Sequence, residues 1–242
     1  MKIRDGRATV TGSIRPGSQE LSATALPCSG TPDPVEEPPI ASGDRSVRRL
    51  LLLRHAPTAA TRAFAFPADE SLDERGLAAA AELRLSAPSG HELLCSPAAR
   101  CVQTAEAAGL GTPALDTRLA ECDFGAWAGR DLDAITAEDP ESVSAWMAGH
   151  DARPHGGESL AAFAARVGGW LAEQARLDGS AVVITHGGVV KAAVIAALAA
   201  PIASFWRVDA SPLGVTELHA HDGRWTVTKV NAASGAVAEV PA

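Results

Sequence analysis

The sequence lacks an excess of positive charge. Its 242 residues include 21 Lys or Arg against 29 Asp or Glu, a formal net charge of −8. That argues against a general nucleic-acid or membrane-surface binder, so any anionic substrate must be drawn by a local basic cluster. The chain has four cysteines, Cys28, Cys95, Cys101 and Cys122, and none form a C-x-x-C pair. They read as reduced cytosolic thiols rather than a disulfide frame or a zinc site. The start, MKIRDGRATVTGS, has charges but no apolar h-region, so it does not read as a signal peptide. The most apolar long run, Val189 to Trp206, is interrupted by Lys191 and Pro201 and reads as a buried helix, not a bilayer span. No G-x-S-x-G elbow and no Walker loop is present. His219-x-His221 would place two imidazoles on one strand face, but no third ligand accompanies them. The expectation is a cytoplasmic protein, monomeric or homodimeric, that works without metal or cofactor and without nucleic-acid or membrane partners.

What is present is an ordinary globular composition, 46% hydrophobic and 21% charged, in a chain long enough to build its own core. Residues 1–47 differ. They are rich in Pro, Gly, Ser and Glu, with PCSGTPDPVEEPP at their centre, and cannot bury enough apolar area to offset their ordering entropy. We expect a disordered extension there and one domain over 48–242. Three lysines against eighteen arginines point to a GC-rich gene, in which Val47 is a candidate alternative start.

From Arg48 on, apolar runs alternate with helical patterns, which predicts an α/β domain. RRLLLLRHA (48–56), HELLCSP (91–97) and SAVVITHGG (180–188) read as strands. SLDERGLAAAAELRLS (71–86) reads as a helix capped by Asp73 or Ser71, and AARCVQTAEAAGL (98–110) as one ended by Gly109. PALDTRLAE (113–121) reads as extended. Residues 131–149 suggest two short helices broken at Pro140, and 159–177 one longer amphipathic helix. GVTELHAHDGRWTVTKV (214–230) reads as a hairpin turning at Asp222-Gly223.

Two of these strands end in a histidine. His55 follows LLLLR and His186 follows VVIT. Ligands of open α/β sheets bind beyond the carboxyl ends of strands, so parallel neighbours would face both imidazoles into one crevice. Gly187-Gly188 and a helix follow His186, and exposed N–H groups at a helix start suit an anion. Arg100 sits in the first turn of a helix, where a cation opposes the dipole unless it faces a bound anion. Glu121 precedes Phe124, Gly125, Trp127 and Gly129, and a carboxylate among aromatics is a candidate general acid.

With these residues the sequence resembles the histidine phosphatase superfamily, also called phosphoglycerate mutase-like. Arg54-His55-Ala56 is similar to its Arg-His-Gly signature. LDERG (72–76), SPAARCVQTA (96–105), LAECDFGAWAG (119–129), GGES (156–159) and THGG (185–188) follow in family order. The resemblance implies a single-domain, three-layer α/β/α fold with a mostly parallel central sheet. It implies His55 as the nucleophile that takes a phosphoryl group. Arg54, Arg100 and His186, with the Gly187 N–H, would bind its oxygens, and Thr58 could reach them. Glu121 would protonate the leaving alcohol and then activate water. Two guanidiniums and an imidazolium would replace a metal in offsetting the phosphoryl charge. The sequence departs at Ala56, where the signature has Gly, and at Thr61, where many members have Asn; Arg62 beside it is a compensating candidate.

Only 26 residues separate Gly129 from Gly156. That spacing resembles the branch containing α-ribazole phosphatase and broad-specificity phosphatases. The expected substrate is a small phosphate monoester, α-ribazole 5′-phosphate being one candidate. A phosphoglycerate mutase-type phosphotransferase, a non-catalytic phospho-ligand-binding regulator and a serine hydrolase, the last suggested by HGG, are the competing readings.

Overall fold

The computed structural model describes residues 47–233. The expected disordered extension lies outside the described residues except for Val47, which opens the first strand. That strand, β1 (Val47–Arg54), is the organising element. Its four leucines, Leu50 to Leu53, are fully buried. Leu50 and Leu52 pack into the core on one face of the sheet, and Leu51 and Leu53 into the core on the other. A continuous apolar run is what a strand covered on both faces requires. Burying each leucine contributes roughly 1.5–3 kcal/mol. Leu52→Ala should therefore lower the unfolding free energy by about 2–5 kcal/mol; urea titration followed by circular dichroism measures it.

A short helix, α1 (Ala59–Arg62), follows, then α2 (Glu74–Ala81), β2 (Glu92–Cys95), α3 (Ala99–Ala107), β3 (Ala114–Leu115), α4 (Leu132–Glu138), α5 (Pro140–Ala148), α6 (Leu160–Gln174), β4 (Gly179–Thr185), α7 (Gly187–Ala197), β5 (Val215–His221) and β6 (Arg224–Ala232). The sheet order is β3-β2-β4-β1-β5-β6. The first four strands are parallel, and β5 and β6 close the other side antiparallel. Residues of α6 and α7 build one core with Leu50 and Leu52; Cys101 and Ala105 of α3 build the other with Leu51 and Leu53. This is a mostly parallel α/β/α sandwich. Among the described residues, no helix is long and apolar enough to cross a membrane.

The local rules held where the signal was strong. Asp73 caps α2, its carboxylate accepting from the Gly76 N–H. Asp139 caps α5 with Pro140 at its first position. Gly109 takes a left-handed conformation just past α3, and Asp222 and Gly223 both have positive φ at the β5–β6 turn. Three expectations were displaced. The segment 113–121 is extended over only two residues, because the Asp116 carboxylate takes the Arg118 N–H and starts a 3-10 turn over Thr117–Leu119. The run from Val189 to Trp206 is not one helix. α7 begins two residues earlier and ends at Ala197, Ala199 is left-handed, and Pro201 precedes a 3-10 segment over Ile202–Arg207. Helix α2 stops at Ala81, well short of Ser86.

β1 and β4 are adjacent, with Arg54 in register with Thr185. From β1 the chain goes on to β2, on the far side of β4; from β4 it goes on to β5, on the far side of β1. The connections diverge at that pair and leave a crevice past its carboxyl ends. His55 and His186 are the next residues on both strands.

Candidate active site

His55 is 3% exposed and His186 fully buried. Their rings meet edge to face, with centroids 5.3 Å apart. The hydrogen bonds fix both tautomers. His55 Nδ1 lies 2.7 Å from the Ala56 carbonyl, which can only accept, so Nδ1 carries the proton and Nε2 keeps its lone pair. Arg100 Nη2 lies 3.1 Å from His186 Nδ1, and a guanidinium can only donate, so here Nδ1 accepts and Nε2–H donates to Ser96 Oγ at 2.8 Å. His186 is therefore neutral in this arrangement, not the imidazolium expected from the charge of a phosphoryl group. Burial and the charge of Arg100 push the His55 pKa down to about 3. Burial, Arg100 and then His55 push that of His186 well down too.

Both histidines thus protonate in the unfolded chain near 6.5 but resist protonation when folded. Their folded pKa values are depressed, so the unfolded state binds more protons below pH 6.5. The stability they confer is complete above that pH and is lost as pH falls toward about 3. The urea midpoint should fall steadily between pH 7 and pH 4, and His55→Asn should flatten that slope; an unchanged slope would contradict the assignment.

The two guanidiniums come from the same crevice. Arg54 Nη1 donates to the Ala210 carbonyl at 2.6 Å, and burial lowers its pKa. Arg100, 3% exposed, donates through Nη1 to the Ala68 carbonyl at 2.6 Å. The Nε–H of each is buried with no acceptor among the described residues. Such orphaned donors are uncommon and suit an anionic ligand. Gly187 opens α7, and a Cβ there would stand 3.3 Å from the Arg54 guanidinium. Its N–H has no partner within the helix. The geometry thus brings Arg54, His55, Arg100, His186 and Gly187 together.

Glu121 faces them and lines all three cavities around the site. Its Oε1 accepts from the Cys122 N–H at 3.0 Å and its Oε2 from the Gly188 N–H at 3.1 Å. Aromatics Phe124 and Trp146 share its cavity, but backbone donors hold the carboxylate.

The remaining residues divide. The Thr58 hydroxyl donates to Glu70 Oε1 and accepts from Thr61 N–H; the Thr61 hydroxyl donates to the Thr58 carbonyl. The pair is a reciprocal cap on α1, and Thr61 also lines a cavity with His55. Arg62 is turned away, ion-paired to Asp73 at the cap of α2, and lines none of these cavities. The structure does not bring it to the site, because Asp73 supplies the nearer anion. Ala56 fits: fully buried, it packs with Leu72 and Ala80, and its N–H is held by Thr104 Oγ1 at 3.0 Å.

Sequence reasoning missed several supports. Glu70 pairs with Arg100 at 3.4 Å, and Ser96 orients His186. GGES acquires a physical role. The Glu158 carboxylate binds Arg166 Nε and Nη2 at 3.0 and 2.8 Å, and Arg166 donates to the carbonyls of Arg118, Ala120 and Glu121. Gly157 is required because a Cβ would lie 2.1 Å from the Asp123 carbonyl oxygen. Ser96 and Glu158 stood inside quoted motifs; Glu70 and Arg166 gave no local signal.

The model of the histidine phosphatase superfamily (branch 1) matches residues 50–233. The chain belongs to this superfamily. Across 194 residues this histidine phosphatase is 28% identical to phosphoserine phosphatase 1 of Hydrogenobacter thermophilus, covering 76% of this chain and 92% of that one. It is 33% identical over 176 residues to a glucosyl-3-phosphoglycerate phosphatase of Mycolicibacterium vanbaalenii, covering 64% and 76% respectively. The crystal structure of the α-ribazole phosphatase from Shigella flexneri superposes with a TM-score of 0.69 at 26% identity, covering 78% of this chain and all of that one. These relatives carry phosphatase names, and this chain is a phosphatase.

Proposed function

We propose that the protein hydrolyses small phosphate monoesters through a phosphohistidine on His55, without a metal. The observation that carries this reading is the His55 ring, buried and neutral with Nδ1 spent on Ala56 and Nε2 free, beside two guanidiniums and a carboxylate. In the first step His55 Nε2 attacks phosphorus, the P–O bond to the alcohol breaks, and protonated Glu121 supplies the proton that the leaving oxygen takes. In the second, Glu121 removes a proton from water, the oxygen attacks phosphorus, and the P–N bond breaks to release phosphate and restore His55. Arg54, Arg100 and the Gly187 N–H hold the equatorial oxygens, where the charge of the transition state accumulates, and His186 adds a donor once its Nε2–H turns from Ser96 to the ligand. Dividing hydrolysis into two transfers avoids one difficult step.

The cavity beside Glu121, about 250 Å³, suits a leaving group of small-molecule size. Phosphoserine, glucosyl-3-phosphoglycerate and α-ribazole phosphate, the substrates in the relatives' names, are all candidates. The test is release of phosphate from p-nitrophenyl phosphate and from 3-phosphoglycerate in excess EDTA. Undiminished phosphate release is expected; loss of activity restored by a divalent cation, or isomerisation outrunning release, would overturn the proposal.

A further inference from the structure

Lys191 is one of three lysines in the chain and interrupts its most apolar run. The fold places it on α7, one turn past Gly187-Gly188, where it lines the cavity with Arg54, Glu121 and Phe124 and also the one that contains His55. It does not line the cavity that holds Arg100 and His186. Its ammonium stands 4.4 Å from the Phe205 ring centroid and 5.4 Å from that of Trp206. Among the described residues it has no hydrogen bond and no carboxylate within ion-pair distance. Glu121 and Asp209 act on it from further off, but both are held elsewhere. Glu121 accepts from Cys122 and Gly188, and Asp209 from the Ala210 N–H and Asn231 Nδ2.

A partly desolvated ammonium that lies against aromatic faces, with no hydrogen bond or ion pair among the described residues, is costly to keep, and a ligand's anionic group would offset that cost. The walls match an organic group. All five phenylalanines of the chain, with Trp146 and Trp206, line the two cavities that Lys191 shares. The phosphoryl oxygens already have Arg54, Arg100 and His186. We propose that Lys191 is a specificity-determining residue and that the preferred substrates release an alcohol bearing a carboxylate, which Lys191 binds. This rests on the phosphatase reading above.

The test compares kcat/KM for phenyl phosphate with those for 3- and 4-carboxyphenyl phosphate, in the full chain, in Lys191→Met and in Lys191→Arg. A charge-assisted hydrogen bond predicts that the wild type prefers at least one carboxyphenyl ester by about tenfold or more. Lys191→Met should bring that ratio toward one, chiefly through KM, and Lys191→Arg should retain most of it. Inhibition by 3-hydroxybenzoate over phenol reads the same subsite in the wild type alone. Equal wild-type rates on all three esters would overturn the inference and leave the phosphatase reading standing. So would a Lys191→Met variant that loses all three esters in equal proportion, since that marks a phosphate ligand. Failure to hydrolyse any of the three would instead remove the phosphatase reading and this inference with it.

Discussion

His55→Asn is expected to lower kcat/KM for every phosphate monoester by on the order of 10,000-fold or more, because it removes the atom to which the phosphoryl group transfers. Asparagine retains a polar group of similar reach, so the fold around Ala56 and Thr104 should survive; circular dichroism checks this. The decisive companion measurement is covalent. Wild-type protein quenched after mixing with labelled substrate should carry one acid-labile, base-stable phosphoryl group, and the variant none. Residual turnover near the wild-type rate, or label that persists in the variant, would reject His55 as the acceptor. Burial and the charge of Arg100 push the His55 pKa down to about 3, so titration of His55 does not set the acid limb of the rate profile near neutral pH.

Gly188→Ala should be nearly as damaging, although it removes no functional group. A Cβ at 188 would lie 2.1 Å from Glu121 Oε1 and 3.0 Å from its carboxyl carbon, so the carboxylate must leave its place. The expected loss in kcat is about 100- to 10,000-fold, the range for removing a general acid–base. It should match Glu121→Gln and add little to it, because the two changes disable one group. Leaving-group dependence separates this from simple misfolding. p-Nitrophenyl phosphate, whose leaving oxygen needs no proton, should suffer less in the first transfer than an alkyl phosphate. A Gly188→Ala enzyme with normal kcat on alkyl phosphates would show that Glu121 is not the proton donor.

How much of this was legible can be followed residue by residue. Leu50 to Leu53 and Val182 to Ile184 announce two-sided burial by apolar continuity alone, and their flanking His55 and His186 follow from where strands end. Asp73, Pro140 and Asp222-Gly223 act on their own backbone within three residues, so their effects are local and readable. Helix α1 was not, since its capping box joins two threonines in a stretch without apolar periodicity. Arg62 was misplaced for a related reason. Its partner Asp73 lies eleven positions on, across a loop whose path no local pattern specifies.

The sequence by itself determined which side chains could do the chemistry: a histidine at the end of each of two core strands, one arginine beside the first of them and another where a helix dipole makes it costly, and an acid before an aromatic turn. Periodicity and capping are short-range properties, and they suffice to set strands, helices and their ends. The tertiary structure alone decided which protons sit where, that Glu121 hangs from the Gly188 amide, and that Lys191 stands bare over Phe205 and Trp206. The Glu121–Gly188 and Arg100–His186 contacts join residues 67 and 86 positions apart, and even the nearer ones need the chain to fold back on itself. Their energies depend on burial and on the distance between charges, and neither exists until the sheet has closed.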